Sequence, residues 1–294
     1  MSEVANQPSA SDYIVHHLTH WQNKPQTEIV DFTVFNIDSI FFSVLLGVLG
    51  SFFLWLAARK VTSGVPGRFQ AAVEMLFEMV DGQAKSIVHN AISRKMVAPL
   101  ALTVFVWIFL LNSMDLLPLD LLPVIWSGVF GAAGLDPHHA YLRVVPTADL
   151  SVTMGLSVSV LFICLFYNIK IKGIGGWAHE LVSAPFGTSK NPIFAVILGV
   201  INIAEQLISF VAKTVSHGMR LFGNMYAGEL VFMLIALLGG SWAMSAEPSS
   251  LLLLLLHVVA GWAWAVFHII IILLQAFVFM MLTLVYIGQA HDAH

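Results

Sequence analysis

The chain has 294 residues, of which 58% are hydrophobic and only 10% are charged, and its formal net charge is −4. A soluble globular domain carries about 25% charged residues, whereas the mean hydropathy of this chain is +0.85. The composition therefore excludes a soluble globular protein and predicts an all-α, polytopic membrane protein. The lone cysteine, Cys164, also excludes an internal disulfide.

The first 58 residues divide into a polar segment and a predicted span. Residues 1–38 are polar, contain two prolines and are predicted to lie outside the membrane. Residues 39–58 carry no charge, and at about 1.5 Å per residue they can cross a hydrocarbon core of about 30 Å. The pairs His16–His17 and His138–His139 lack metal-ligand spacing, so we interpret them as solvated and expect no metal site.

Residues 68–95 are predicted to form an amphipathic helix at the membrane interface rather than a span. Apolar residues recur there at three- and four-residue steps, which places them on one face of a helix. The other face carries Glu74, Glu78, Asp81 and Lys85. The preceding SGVPG has the composition of a turn.

Two further spans are predicted at 96–122 and 147–170. The first runs into NSMDLLPLDLLP, in which prolines and aspartates end or bend a helix. We predict loops between these two spans and in the lysine-containing stretch with KGIGG that follows the second of them.

Two long helices are predicted at 191–240 and 248–290, and they complete a single membrane domain over 39–290. A continuous helix as long as the first would measure about 70 Å, which is more than twice the thickness of a bilayer. Such a helix either lies steeply tilted or breaks at one of three glycines, namely Gly218, Gly223 and Gly228. We predict two long, strongly tilted, antiparallel helices, which brings the number of spans to five.

The basic residues predict the orientation. Nine of the thirteen lysines and arginines lie on one side of the predicted spans, namely Arg59, Lys60, Arg68, Lys85, Arg94, Lys95, Lys170, Lys172 and Lys190. Because cytoplasmic loops carry an excess of Lys and Arg, this side is predicted to be the cytoplasm. Five spans then place the N-terminus outside, in the periplasm, and the C-terminus inside.

Arg220 requires an explanation, because it places a positive charge within a long apolar region. An arginine stays protonated at physiological pH, and placing it near a bilayer midplane costs about 2.5–3.5 kcal/mol. At 100° per residue, its face of the helix also carries Gln206, Lys213, His217 and Asn224. Glu229 falls on the opposite face, so the helix presents Arg220 to one neighbour and Glu229 to another.

The last helix carries His257, His268 and Gln275 on one face. An antiparallel register between the two long helices predicts that Gln275 lies near Arg220 and that His268 pairs with Glu229. Such contacts could simply tie helices together. A cluster of ionisable groups inside a membrane more often marks an ion path, in which Glu and His can carry protons and Arg acts electrostatically.

At these residues the chain resembles a known family. The stretch RLFGNMYAGEL (220–230), together with HIIIILLQAFVFMMLTLVY (268–286), resembles the signature of subunit a of F-type ATP synthases. Four further motifs appear in the family's order: SGVPGRFQ (63–70), MDLLPLDLLP (114–123), LRVVPTADLSVT (142–153) and IKGIGG (171–176). The resemblance covers residues 11–290 and is greatest to bacterial members.

The resemblance implies roles for the residues that match the motifs. Arg220 would face the membrane carboxylates of a rotating c-subunit ring and would separate two offset proton half-channels. Glu229 and His268 would lie in the outer half-channel, and Asn224 and Gln275 would flank Arg220. Near the outer loop, a wet vestibule would include Asn112, Asp115 and Asp149, unless these residues serve as helix caps or loop hydrogen bonds.

The resemblance also implies partners and a location. The partners would be the c ring, the b subunits of the peripheral stalk and the remaining ATP synthase subunits, in the bacterial inner membrane. The chain has no GxxxxGK[ST] loop, so we expect a subunit that binds no nucleotide, with no cofactor and no nucleic acid. It would couple proton flow to ring rotation and ATP synthesis.

The sequence departs from this family at the inner half-channel. Relatives often carry an acid where this chain has Gln206, whereas here Glu205 precedes that position, and His217 replaces an apolar residue. We hypothesise that Glu205, Lys213 and His217 line or tune the inner half-channel. Two other readings stay open: a stand-alone secondary transporter that holds an anion on Arg220, and a purely structural membrane scaffold.

Overall fold

The fold is all-helical, as predicted. The computed structural model describes residues 10–26, 31, 33–62, 64–136, 140–244 and 250–290; the predicted solvated pair His138–His139 lies outside them. Within these residues a single β-bridge joins Gln22 to Asn36. The helices are α1 (Ala10–Leu18), α2 (Ile37–Arg59), α3 (Arg68–Ile87), α4 (Ala91–Ser113), α5 (Leu121–Ala132), α6 (Leu150–Ser183), α7 (Pro192–Met244) and α8 (Ser250–Gln289).

Five of these helices are long and apolar enough to cross a membrane, namely α2, α4, α6, α7 and α8. This confirms the five predicted spans. Many of their large apolar side chains are exposed in the isolated chain. Exposed apolar surface on this scale fits helices surrounded by lipid or by partner subunits rather than by water.

The amphipathic helix α3 is shorter than predicted, since it ends at Ile87 rather than at residue 95. Val88 is extended, with φ −103° and ψ 97°. The side-chain oxygen of Asn90 then accepts the backbone N–H groups of Ile92 (2.9 Å) and Ser93 (3.3 Å). Because this is an N-cap, a new helix starts there, and the basic pair at 94–95 belongs to α4.

The loops on either side of the third span are more helical than predicted. Helix α4 ends at Ser113 instead of continuing to 122, and the apolar α5 forms where a loop was predicted. Helix α6 starts at Leu150 and continues to Ser183, although residues 171–190 were predicted to be a loop. The KGIGG motif produces only a kink at Gly173, whose φ of 72° favours glycine.

Both long helices are continuous, and α7 does not break at its glycines. Two of these glycines allow close contacts instead. A Cβ atom at Gly218 would lie 2.7 Å from the Met154 sulfur, and a Cβ atom at Gly228 would collide with the ring of His268. The glycines therefore mark packing sites rather than hinges, and the tilt of the helices stays a prediction.

The chain divides into two compact units, each assembled from three stretches of sequence. The first unit comprises Met1–Leu49, Phe109–Val152 and Phe222–Leu274. The second unit comprises Gly50–Ile108, Thr153–Leu221 and Gln275–His294. Helices α7 and α8 contribute residues to both units, so the ionisable residues of these two helices are divided between the units.

Candidate functional site

A buried ion pair lies at the centre of the first unit. The Arg143 guanidinium donates from Nη2 to Oε2 of Glu229 at 2.6 Å, and the two side chains are only 7% and 5% exposed. The ring of Tyr226 lies 5.5 Å from the guanidinium carbon. A short, charge-assisted bond of this kind stabilises a buried carboxylate, and it fixes the position of Glu229.

The N-terminal segment contributes to the same cluster. Nη1 of Arg143 lies 3.1 Å from Nε2 of His20, whose Nδ1 lies 3.3 Å from Oδ1 of Asp38. The other Asp38 oxygen accepts the backbone N–H groups of Trp21 and Arg143, each at 3.0 Å. Asp38 is fully buried in the first turn of α2, where the helix dipole favours a negative charge.

A second pair lies in the first unit, and it corrects a prediction. Nε2 of His268 is 2.6 Å from Oδ2 of Asp115, and both side chains are buried. The predicted Glu229–His268 pair is therefore wrong, although His268 does lie against α7 next to Glu229, at Gly228. Gly228 lets the His268 ring approach the α7 backbone, and the next residue, Glu229, points to Arg143 instead.

Asn112 and Asp149 are buried rather than open to solvent. Oδ1 of Asp149 accepts the backbone N–H of Ser151 at 2.8 Å, and Oδ2 accepts a hydrogen bond from Asn36 at 2.7 Å. Asp149 immediately precedes α6 and therefore caps its N-terminus. The capping alternative thus applies to Asp149, whereas Asp115 faces a cavity.

This first cavity has a volume of about 480 Å³ and lies wholly within the first unit. Its ionisable lining residues are His17, Asp115, Asp120, Glu229 and His257. The cavity thus brings together titratable side chains from α1, α7, α8 and the segment between α4 and α5. Such a space can hold water beside groups that exchange protons.

His17 corrects the prediction that the histidine pair in α1 is solvated. Its Nε2 lies 3.0 Å from Asp120, the side chain is only 10% exposed, and the Tyr13 hydroxyl also donates to Asp120 at 3.1 Å. Burial, followed by the negative charge of Asp120, raises the pKa of Tyr13 above its usual value. These contacts attach α1 to the start of α5.

A second cavity, of about 430 Å³, lies wholly within the second unit. Its polar lining residues include Glu180, Glu205, Gln206, Lys213, His217, Tyr286 and Gln289. The structure therefore brings together the residues that the sequence associated with the inner half-channel. They come from α6, α7 and α8.

Hydrogen bonds in the second cavity involve its amide and lysine side chains. Gln206 donates to the backbone carbonyls of Glu180 (3.3 Å) and Ala184 (3.4 Å). Lys213 donates to the side-chain oxygen of Gln289 at 3.1 Å. Gln206 therefore has a structural role, and Glu205, one residue earlier, is the exposed acid on this part of α7.

His217 is the most enclosed of the ionisable residues that line the second cavity, at 2% exposure. Its ring centroid lies 3.7 Å from that of Phe279 and 5.8 Å from that of Tyr286. Neither ring nitrogen forms a hydrogen bond within the described residues. Its two ring nitrogens are buried, so a proton or a water molecule would reach them by way of the adjoining cavity.

Arg220 is exposed, and within the described part of the chain it forms no ion pair or hydrogen bond. Gln275 is buried, no hydrogen bond joins it to Arg220 within these residues, and their predicted proximity stays a prediction. Asn224 is half-buried and belongs to the first unit. The exposed residues before Arg220 on α7 include Val211, Val215 and Met219.

Sequence reasoning missed three members of the first cluster, His20, Asp38 and Arg143. The sequence could have indicated Arg143, because it is a charged residue in the otherwise apolar LRVVP. Asp38 immediately precedes the first uncharged stretch and was assigned to the polar segment. Nothing local distinguishes His20 from the other histidines of that segment, because its role depends on contacts with residues far along the chain.

These observations define a class, that of multi-pass membrane proteins with ionisable clusters inside apolar helices. Comparison with known proteins specifies the family. The model of the ATP synthase A chain family matches residues 40–288, and the chain belongs to this family.

Similar bacterial proteins cover its whole length. ATP synthase subunit a of Paracidovorax citrulli and that of Acidovorax sp. strain JS42 are each 69% identical to it over 294 residues, which is 100% of both chains. ATP synthase subunit a of Psychrobacter cryohalolentis is 45% identical over 302 aligned positions, which is 98% of both chains.

Proposed function

We propose that this chain is the proton-translocating subunit of a bacterial rotary ATP synthase. It supplies two offset half-channels and an arginine, Arg220, that faces the carboxylates of a c-subunit ring. Proton flow through the half-channels turns the ring, and the rotation drives ATP synthesis on other subunits. The chain itself binds no nucleotide and is not the catalytic subunit.

The exposure of Arg220 carries this proposal. A guanidinium in a membrane-spanning helix is costly unless an anion compensates for it, and Arg220 has no such partner within the described residues. Its partner is therefore expected on another subunit. A ring carboxylate fits, because Arg stays protonated and would hold that carboxylate in its ionised form.

The first cavity is proposed as the outer half-channel. The sequence-derived candidates Glu229 and Asp115 line it, and His268 adjoins it through its 2.6 Å contact with Asp115. Since three carboxyl groups, Asp38, Asp115 and Glu229, lie around the single arginine Arg143, full ionisation would leave a buried excess of negative charge. Such an excess favours the uptake of protons.

The second cavity is proposed as the inner half-channel. Glu205, Lys213 and His217 line it, and Glu205 would be the proton-accepting acid that α7 contributes to this cavity. Arg220 follows His217 and precedes Glu229 along α7, and it cannot itself pass on a proton. It would therefore prevent a direct leak from one half-channel to the other, with Asn224 and Gln275 beside it.

The proposed assembly follows from the basic residues and the exposed helices. The predicted cytoplasmic side carries nine of the thirteen lysines and arginines, which supports an orientation with the N-terminus in the periplasm. The c ring would cover the face of α7 that carries Arg220. Helix α3 would lie along the cytoplasmic surface near the b subunits of the peripheral stalk.

The test replaces Arg220 in the complete complex. In inverted membrane vesicles, we expect Arg220→Ala to abolish ATP-driven proton uptake, measured by quenching of a pH-sensitive dye. Arg59→Ala is the matched control, because Arg59 is an exposed arginine at the end of α2 whose guanidinium stacks on Trp55. Proton uptake should stay near the wild-type rate in this control.

Two outcomes would contradict the proposal. Coupled transport and ATP synthesis by Arg220→Ala at the wild-type rate would favour a structural scaffold. Anion transport by the purified chain alone in liposomes would favour a stand-alone transporter.

A further inference from the structure

We propose that His20 is a positioning residue for Glu229. In its neutral form, His20 holds Arg143 against Glu229, and protonation of its imidazole from the outer solution releases Arg143. This inference rests on the proposed function, because it concerns the outer half-channel. It assigns a role to the N-terminal segment that neither its polarity nor its sequence motifs indicate.

The contacts of Arg143 define the arrangement. One terminal nitrogen of the guanidinium donates to Glu229 at 2.6 Å, and the other lies 3.1 Å from Nε2 of His20. His20 and Glu229 therefore hold the two ends of the same planar group. Removing the His20 contact leaves Arg143 with one fewer constraint on its orientation toward Glu229.

The chemistry of arginine fixes the protonation state of His20. A guanidinium has only donors, so Nε2 of His20 must accept the hydrogen bond with its lone pair. The proton of the neutral imidazole then lies on Nδ1, which faces Oδ1 of Asp38 at 3.3 Å and the Ser39 hydroxyl at 3.5 Å. His20 is thus neutral and Nδ1-protonated in this arrangement.

Asp38 holds both partners in place. Its Oδ2 accepts the backbone N–H of Trp21, next to His20, and that of Arg143, each at 3.0 Å. The backbones at His20 and at Arg143 are thereby attached to the same carboxylate. The contact between the two side chains is consequently preorganised rather than a chance encounter of mobile groups.

Protonation of His20 removes this contact. A proton on Nε2 would place an N–H donor against the guanidinium, so a hydrogen bond would be replaced by repulsion between two cations. The charged groups that face His20 are Asp38, Arg143 and, beyond the arginine, Glu229. Asp38 would retain the imidazolium, whereas Arg143 would move away and leave Glu229 without its fixed partner.

The proton reaches His20 from outside. The side chain of His20 is 13% exposed, whereas those of Asp38, Arg143 and Glu229 are 0%, 7% and 5% exposed. Because Arg143 cannot deprotonate, it cannot pass this proton on to Glu229. His20 therefore acts through the position of Arg143 and is not a member of the proton relay.

Two substitutions separate positioning from mere structural support. His20→Gln keeps an acceptor for Arg143 and a donor for Asp38 but cannot be protonated. His20→Leu removes the acceptor. His16→Gln is the matched control, because His16 lies in the same segment and its ring contacts Tyr141 instead.

The experiment measures ATP synthesis by the whole complex in proteoliposomes. Membrane potential and inner pH are fixed, and the outer pH is varied between about 5 and 8, the range in which histidine changes charge. Each variant is compared with the wild type at the same outer pH, so the driving force cancels. The amount of assembled complex is measured for normalisation.

We expect His20→Gln to match the wild type near the alkaline end and to exceed it severalfold near the acidic end. His20→Leu should be about tenfold slower than the wild type at the alkaline end and should approach it as the outer side is acidified. His16→Gln should follow the wild type throughout. A flat ratio for His20→Gln, or a wild-type rate for His20→Leu at the alkaline end, would overturn the proposal.

A spectroscopic measurement tests the same inference without activity. In the assembled complex labelled with ¹⁵N-histidine, the His20 signals are identified by their absence in His20→Gln. At neutral pH we expect a protonated Nδ1 and an unprotonated Nε2, and the opposite tautomer would refute the arrangement. If Arg220→Ala abolishes transport but the His20 variants behave as the wild type, only the His20 inference fails and the proposed function stands.

Discussion

The buried acids and bases of the first unit are paired with one another. At the cavity of the second unit, Glu205, Lys213 and His217 form no ion pair within the described residues. In the first unit, Glu229 is hydrogen-bonded to Arg143, His268 lies 2.6 Å from Asp115, and all four side chains are buried. In the second unit, His217 has no hydrogen bond within the described residues.

This difference indicates different tasks. A bonded cluster fixes the geometry of its acids and makes each member dependent on the others. A cavity with few bonds allows several routes for water and protons. Arg220 apart, we therefore expect substitutions in the first unit to have larger and more specific effects than substitutions in the second.

Among the substitutions that compare the two units, Arg143→Ala is expected to have the largest effect. It would leave the carboxylate of Glu229 buried without its partner, and the loss of one member of a buried pair costs about 3–5 kcal/mol. We predict at least a tenfold loss of ATP-driven proton uptake. The double variant Arg143→Ala/Glu229→Gln should recover much of the thermal stability of the complex, because it removes the unpaired charge.

Thermal unfolding of the assembled complex would measure this recovery, alongside proton uptake. Should the single and the double variant unfold at the same temperature, the pair would not be the source of the cost.

An intermediate effect is expected from Gly228→Ala. The added methyl group would meet the His268 ring and lie 3.2 Å from a carboxylate oxygen of Asp115. Overpacking of this kind costs about 1–3 kcal/mol. Gly218→Ala in the second unit should cost less, since its nearest contact is the flexible Met154 side chain.

The matched control is Gly155→Ala, because a Cβ atom there has open space around it. The thermal stability of the three variants in the assembled complex gives the comparison. A larger loss for Gly155→Ala than for Gly228→Ala would contradict the packing described for His268.

The smallest effect is expected from the double variant Glu205→Ala/His217→Ala. Because other polar groups remain in the second cavity, we predict a severalfold decrease in ATP-driven proton uptake and an altered dependence on cytoplasmic pH, rather than complete loss. Proton uptake in inverted vesicles at several external pH values measures both. An unchanged rate with an unchanged pH profile would remove these two residues from the inner half-channel.

The overall fold could be predicted because long uncharged stretches leave a membrane protein few alternatives. The five spans and the continuous helix through Arg220 follow from this constraint. The sequence did not predict local features in which a single residue determines where a helix starts or bends. The Asn90 cap starts α4 earlier than hydropathy indicates, and Gly173 kinks α6 without ending it.

The sequence predicted on which face of its helix each candidate residue lies, but not which residue of another segment it contacts. Helical periodicity placed Arg220 and Glu229 on opposite faces, and the structure leaves the first exposed and the second buried. The partner of Glu229 could not be predicted, because Arg143 lies 86 residues away in sequence, outside the regular helices. Periodicity relates residues within a helix, but it contains no information about an irregular segment that folds back onto it.

The group that Arg220 faces in the whole complex is the decisive observation. A cryo-electron microscopy map of the assembled ATP synthase would show this group. We expect a carboxylate of the c ring within about 4 Å of Arg220, or joined to it by one bridging water. A guanidinium that faces lipid, or that is bonded to a carboxylate of its own chain, would show that Arg220 does not act on the c ring.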